Sequence, residues 1–588
     1  MKKTHIGLMI ILFLFAVLWF VFLELNQNYR TGWIASLLIF ILAAWLMPKL
    51  PAGFFIKLGA WLALLAALIV TAVLTPAPLK NYPAVDYKDP QYTEIVHVND
   101  GDLQGVYTKD GQVEIYAGIP YAKPPVGDLR WKEPQDPDGW EGVKVCDTFA
   151  PMSMQPENGP VYSTLAAIIG YHDYQIKLGD TARYANSEDA LYLNIWKPAG
   201  NVKDLPVMVY VHGGSLQTGQ PWYADYSGEG LARKDCIVVN MGYRLGVFGF
   251  YADPELQEES NSHTTGNYGL LDQIKALEWV RDNIAAFGGD PDNVTLAGES
   301  AGGVCVSALC TSPLAKGLFR RVIIESSTCS APLPAHSFRS LEDGFATAAE
   351  IRGELGVNSL AELRALPAEK LVGYADRCHH VTVDGYVLEE TPYESYQKGI
   401  HNEEAILHGF NKTEGALFIL FGNANLKNYE EKVRSFFGKY ADQVLQLYPA
   451  ETDEQAKNNW IAIYSAIYFN YGHFQQTRLS LANGIPVYEY FFTKDNKRLA
   501  YNHGGEEVYF YNNIPAGDGH YDQSDRDLTD IMSGYFVNYL RSGDPNGKDL
   551  PVWPKQTDAE TVLELGDNVG TVRDPFYELD QILKEMGR

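Results

Sequence analysis

VTLAGESAGGV, residues 294–304, decides how the rest of the chain is read. Its first half is a short apolar run of strand character, and its second half is a helical start made of small residues. Between them stand Gly298, Glu299, Ser300, Ala301 and Gly302. A glycine-x-serine-x-glycine pentapeptide by itself arises often enough by composition. Between a strand and a helix it acquires a physical reading. The glycines permit a strained turn that presents the serine hydroxyl, and the helix N-terminus aims N–H groups at developing negative charge. A nucleophilic serine needs further donors for that charge. YVHGGSLQTG, residues 210–219, offers them: the apolar run Pro206–Val211 ends in His212, Gly213, Gly214 and Ser215, where bare backbone lets a reacting group approach.

Outward from these two stretches, short β-rich runs alternate with helical ones from about residue 92. Strands are expected at Leu191–Trp196, Val207–Val211, Ile237–Asn240, Val294–Ala297, Val322–Glu325 and Val487–Phe492. The run Leu271–Phe287 carries Leu271, Ile274, Leu277, Val280 and Ile284 at helical spacing. This alternation predicts an α/β fold, a parallel or mixed sheet covered by helices.

The 588 residues include 46% hydrophobic and 13% aromatic side chains, ample for a large core. With 73 acidic against 47 basic residues the net charge is −26, which argues against nucleic acid as a partner. The six cysteines stand apart, without CxxC or zinc spacing, so no metal or other cofactor is implied.

The first eighty residues are of another kind. Ile6–Leu25 is apolar except for Glu24, Trp33–Met47 is a shorter apolar run, and Leu58–Leu74 is a third. A bilayer core needs about 20 residues per helix. Three transmembrane helices are therefore expected, with the lipid bilayer as partner through residues 6–74. Lys2, Lys3, Lys49 and Lys57 fall on one side of such a hairpin and Arg30 and Lys80 on the other, which puts the N-terminus inside and everything after Leu74 outside the cytoplasm. The expected division is an anchor over 1–80, a proline-rich and charged linker over 81–91, and one globular domain over 92–588.

FGGDPDNVTLAGESAGG, residues 287–303, closely resembles the active-site signature of type-B carboxylesterases, the group of cholinesterases and bacterial para-nitrobenzyl esterases. IYAGIPYAKPPVGDLRW, SEDALYLNIW, GYRLGVFGF and RSGDPNGKDLPVWP are similar to further landmarks of that family, in order, from about residue 92 to the C-terminus. The resemblance implies an α/β-hydrolase fold and a serine hydrolase cleaving carboxylic esters. It implies a chain order of serine, acid, histidine. AILHGFNKTEGALF, residues 405–418, then places the acid at Glu414, and YNHGGEEVYF, residues 501–510, places the base at His503. Ser300 is the nucleophile. Gly213, Gly214, Ser215 and Ala301 form the oxyanion hole, with Gly214, Ser215 and Ala301 as donors and Gly213 serving the turn. Glu299, Trp222 and Tyr223 are the candidates for lining the substrate pocket.

Three departures from the family pattern follow. A third glycine is usual where Ser215 stands. Cysteines are frequent at the positions of Ser153 and Ala190, so the loop Met154–Asp189 is expected to be held by packing alone. That loop has no tryptophan, which disfavours a choline-type substrate. Paired charges of the family blocks predict buried ion pairs Glu188–Arg130 and Arg244–Asp272. Two other classes of function compete with the esterase: a non-enzymatic adhesion or interaction module of the same fold, and a membrane sensor with an esterase fused to it. Retention of all three catalytic residues weighs for the enzyme.

Overall fold

The structure is a computed structural model that describes residues 3–51, 53–157, 159–160, 164, 178–179, 183–332, 338–420 and 422–588. Its described residues divide into two compact units, Met1–Tyr82 with Glu157–Asn186, and Pro83–Pro156 with Ser187–Arg588.

In the larger unit the runs of valine, isoleucine and tyrosine become an eleven-stranded sheet. In chain order its strands are β1 (Val106–Tyr107), β2 (Val113–Pro120), β3 (Tyr192–Pro198), β4 (Leu205–Val211), β5 (Ile237–Met241), β6 (Gly289–Glu299), β7 (Arg321–Glu325), β8 (Ile406–Asn411), β9 (Val487–Phe492), β10 (Thr561–Leu565) and β11 (Val569–Arg573). The spatial order is β1-β2-β3-β5-β4-β6-β7-β8-β9-β10-β11. Six neighbouring pairs, from β5–β4 to β9–β10, run parallel, and the outer pairs are antiparallel. Strands β5, β7 and β8 are buried along their whole length, β4 from Pro206 on and β6 from Val294 on, as parallel strands covered on both faces must be. Strand β6 begins five residues before the expected Val294. Gly289 pairs with Leu205 across an irregularity, a register that the polar stretch GDPDN does not announce.

Every expected strand forms within two or three residues of its predicted ends, apart from that extension of β6. The amphipathic run becomes helix α4 (Tyr268–Asn283), closed by a 3₁₀ turn, Ile284–Phe287. Both expected ion pairs form. Arg130 meets Glu188 through two bonds of 2.6 Å, and Arg244 meets Asp272 at 2.7 and 2.8 Å.

The smaller unit holds α1 (Lys3–Leu25), α2 (Arg30–Leu46) and α3 (Phe54–Leu74). Three segments, Ile6–Leu25, Arg30–Lys49 and Phe54–Leu74, are long and apolar enough to cross a membrane. Trp19 Nε1 on α1 donates to Ser36 Oγ on α2 at 3.0 Å, and Asn28 Nδ2, in the turn between them, donates to the Ala72 carbonyl of α3 at 2.7 Å, so polar groups of this unit satisfy one another.

Two boundary expectations need correction. The segment 81–91 is no free linker: Ala84 N–H donates to the Asp147 carbonyl and Tyr87 Oη to that of Tyr107, so the larger unit begins at Pro83. The segment is pinned at points, its Gln91 carbonyl also accepting from Tyr107 N–H, while its residues remain exposed or half-buried. Residues 157–186, expected inside the globular domain, belong to the helical unit. Glu24, the one charge in the first apolar run, accepts from Gly179 N–H at 3.0 Å, and Leu79–Lys80 pairs with Arg183–Tyr184. The rest of the 154–189 loop, apart from 178–179 and 183–189, lies largely outside the described residues. Its described ends are hydrogen-bonded rather than merely packed. Ser153 Oγ donates to the Tyr243 carbonyl at 2.6 Å, and the Gln155 amide bonds both the carbonyl and the N–H of Gly219.

Candidate active site

Strand β6 delivers Ser300 into a sharp turn before helix α5 (Ala301–Leu309). Ser300 has φ 55° and ψ −124°, a conformation that costs a non-glycine residue of order 1–3 kcal/mol. The turn closes only because its flanking residues have no side chains. A Cβ on Gly302 would lie 2.0 Å from the Val211 carbonyl oxygen, and one on Gly298 would lie 2.6 Å from the Gly302 carbonyl carbon. The Ser300 N–H is tied to the Glu325 carbonyl at 2.9 Å.

His503 and Glu414 come from loops that follow neighbouring strands. Thr413 N–H donates to the Tyr501 carbonyl and Asn411 Nδ2 to that of Asn502, which zips the two loops together. His503 Nε2 then lies 2.7 Å from Ser300 Oγ, and its Nδ1 lies 2.5 Å from Glu414 Oε2. Glu414 is fully buried, and its Oε1 accepts the Asn411 N–H at 2.6 Å. With that carboxylate at Nδ1, the tautomer presents a lone pair at Nε2 to the serine proton.

The glycine loop is held from below. His212 Nδ1 lies 2.8 Å from the Gly213 carbonyl and its ring stacks on Tyr243. Gly214 has φ 105°, and Ser215 and Leu216 follow at 57° and 58°. Among the described residues the N–H groups of Gly213, Gly214 and Ser215 donate to no protein acceptor, and Ala301 opens a helix whose first N–H groups have no intrahelical partner. Ser215 keeps its N–H in a left-handed backbone that the usual glycine would adopt without strain.

The three pocket candidates go separate ways. Trp222 stacks on Phe149 with centroids 5.3 Å apart, and Tyr223 packs edge-on against Tyr226. Glu299 lies against the histidine, its Oε1 3.2 Å from His503 Nε2. Missed by the sequence were Phe418 and Phe469, whose rings sit 5.2 and 4.9 Å from the His503 ring and 5.3 Å from each other. Phe469 arrives in a π-helical turn, Ala466–Asn470, for which the sequence carries no signal. Also missed was a group of buried carboxyls. Glu325 accepts from Tyr511, Glu506 from Ser326 and Tyr490, and Glu507 from Tyr210. Burial raises Glu299, Glu325 and Glu507 well above the usual carboxyl range and lifts Glu506 to about 7.

Residues 92–581 match the profile of the carboxylesterase family, which covers most of the chain. The chain belongs to the carboxylesterase family. It is 31% identical to carboxylesterase 1C of Rattus norvegicus over 85% of this chain and 93% of that one. It is likewise 31% identical to the para-nitrobenzyl esterase of Bacillus subtilis, over 83% and 98%. The crystal structure of the Geobacillus stearothermophilus carboxylesterase superposes with a TM-score of 0.70 at 31% identity, covering 83% of this chain and all of that one. The eleven-stranded sheet is thus that of an α/β-hydrolase carboxylesterase, and the activity of the enzyme is hydrolysis of carboxylic esters by a serine hydrolase.

Proposed function

We propose that this carboxylesterase is a membrane-held enzyme for uncharged carboxylic esters, with Ser300, His503 and Glu414 as its triad. The observation that carries the assignment is the unbroken line from Ser300 Oγ through the two ring nitrogens of His503 to Glu414. Ser300 Oγ attacks the ester carbonyl while its proton passes to His503 Nε2, and Glu414 stabilises the imidazolium. The carbonyl oxygen becomes an oxyanion, received by the N–H groups of Gly214, Ser215 and Ala301, with Gly213 providing the turn. Nε2 returns the proton to the leaving alcohol, and water releases the acid from the acyl-enzyme by the same steps. Phe418 and Phe469 beside His503 favour apolar substituents on the ester.

The three apolar helices support an anchor, and the distribution of Lys and Arg around them supports a catalytic unit outside the cytoplasm. A fluorophosphonate probe tests the first part. Wild-type protein is labelled and Ser300→Ala is silent; labelling that survives in Ser300→Ala removes the nucleophile. A reporter fused after residue 80 tests the second. It should be active only outside the cytoplasm, and a cytoplasmic signal reverses the orientation.

A further inference from the structure

Gln155, two residues before the 157–186 segment, is 5% exposed, and its amide grips a single residue of the glycine loop from both sides. Its Nε2 donates to the Gly219 carbonyl at 2.7 Å, and its Oε1 accepts the Gly219 N–H at 2.9 Å. The second Nε2 proton goes to the Ser153 carbonyl at 3.0 Å. Ser153 Oγ in turn donates to the Tyr243 carbonyl at 2.6 Å, and Tyr243 Oη donates to the His212 carbonyl at 2.7 Å. The chain from His212 to Gly219 is thus closed into a hydrogen-bonded ring, and Gln155 is the link that fastens its far end.

Position matters there because the oxyanion donors are peptide N–H groups. In a trans peptide the carbonyl and the N–H point in opposite directions, so whatever fixes the Gly213 carbonyl also aims the Gly214 N–H. The Gly213 carbonyl lies 2.8 Å from His212 Nδ1, and Gly219 backs onto both. A Cβ on Gly219 would be 2.6 Å from that carbonyl oxygen and 2.4 Å from Nδ1. The next peptide is fixed in the same way: the Gly214 carbonyl accepts from the N–H groups of Gln217 and Thr218, each at 3.0 Å, which aims the Ser215 N–H. The loop does not keep this shape unaided. Gly214, Ser215, Leu216 and Gly219 have φ of 105°, 57°, 58° and 110°, and two of these four are not glycine. Without a clamp at Gly219 the strained turn is free to relax, and the Gly214 N–H swings with it.

We propose that Gln155 is a positioning residue for ester hydrolysis: by clamping Gly219 behind the Gly213–Gly214 peptide, it keeps the oxyanion donors aimed before the substrate arrives. This rests on the oxyanion hole proposed above. A carboxamide of this length serves both sides of Gly219, because the N–H needs an acceptor and the carbonyl needs a donor. Donors held in place ahead of the reaction act on the charge that develops in the transition state and hardly on the neutral ester, so the contribution of Gln155 belongs to kcat rather than to KM. Removing one oxyanion donor outright costs about a hundredfold to a thousandfold in kcat, and loosening the loop that carries two of them should cost about tenfold to a hundredfold.

The test compares wild type with Gln155→Met, similar in size but unable to serve either side of Gly219. The kcat and KM for a neutral ester are counted per site titrated to completion by a fluorophosphonate. Inhibition by a trifluoromethyl ketone, which Ser300 converts to a hemiketal oxyanion, is measured beside binding of the corresponding ether, which has no carbonyl. In Gln155→Met, kcat should fall by about tenfold to a hundredfold with KM within about threefold. The ketone Ki should rise by the factor by which kcat/KM falls, and ether binding should not change. A lower Tm with kcat per site and ketone affinity as in wild type would make Gln155 a merely structural residue and overturn the proposal, as would a loss confined to KM. Wild type that binds the ketone no more tightly than the ether would instead remove the oxyanion hole, and the proposal with it. Should Gln155→Met not fold, Gln155→Glu decides. It keeps the length and an acceptor for the Gly219 N–H, so kcat and ketone affinity should fall together by a smaller factor, and if both are unchanged the clamp is refuted.

Discussion

Asp272→Asn should destabilise the enzyme more than any other single charge removal at its ion pairs, and the structure supplies the reason. Asp272 is fully buried and Arg244 nearly so. The carboxylate accepts from Arg244 Nε at 2.8 Å, from its terminal nitrogen at 2.7 Å and from its backbone N–H at 3.0 Å. Burial opposes the Arg244 charge, yet the charge and hydrogen bonds of Asp272 hold its pKa above the ordinary value. Asparagine is isosteric but neutral, so the cation stays buried with the Lys132 carbonyl as its remaining strong acceptor. Breaking a buried pair from one side costs roughly 3–5 kcal/mol. At about 2.1 cal/mol/K per residue, a unit of about 500 residues melts with an entropy near 1 kcal/mol/K, which gives a fall in Tm of about 3–5 °C. Glu188→Gln should cost less, about 2 kcal/mol, because Arg130 keeps the carbonyls of Arg364 and Leu366, each at 2.8 Å. Its loss should also speed proteolysis within the 157–186 segment. Glu430→Gln, from an exposed pair with Arg434, is the control and should stay within about 0.5 kcal/mol. Thermal melts of the three variants in detergent measure the series. Asp272→Asn melting with the Glu430→Gln control would refute the reasoning.

His503→Ala should lower kcat by several orders of magnitude with the fold intact, and Glu414→Gln by less, since the amide still orients the ring; steady-state rates per folded protein check both, and near-normal turnover in His503→Ala would remove the base. Gly302→Ala should prevent formation of the serine turn, because its Cβ would lie 2.0 Å from the Val211 carbonyl, and the readout is loss of fluorophosphonate labelling together with a lower Tm. Glu506 titrates near 7 when folded, above its unfolded value, so its protonated form favours the native state. Its stabilising contribution is complete below the unfolded pKa and is lost as pH rises towards 7. Glu506→Gln should flatten the fall of Tm between about pH 4.5 and 7, and an unchanged slope would count against this assignment.

Local features were legible in the sequence because consecutive residues determine them. Hydropathy over about 20 residues marks each of the three N-terminal helices, and valine-rich runs mark the central strands. The glycines at 298 and 302 announce a turn that no side chain fits. The resemblance then named Glu414 and His503, residues that on their own read as an ordinary loop acid and an ordinary histidine. What only the tertiary structure decided are the encounters between distant segments. His503 meets a serine 203 residues away and a glutamate 89 residues away, and those distances depend on the register of β6, β8 and β9 in one sheet. Phe469 reaches the histidine through a π-turn invisible to periodicity, and Glu299 comes to lie beside Nε2. Residues 157–186 join the helical unit because Glu24 and the Leu79–Lys80 backbone offer acceptors and a strand edge there. Burial and hydrogen bonding of this kind are settled by which surfaces meet, and a linear pattern of polar and apolar residues does not encode the partner.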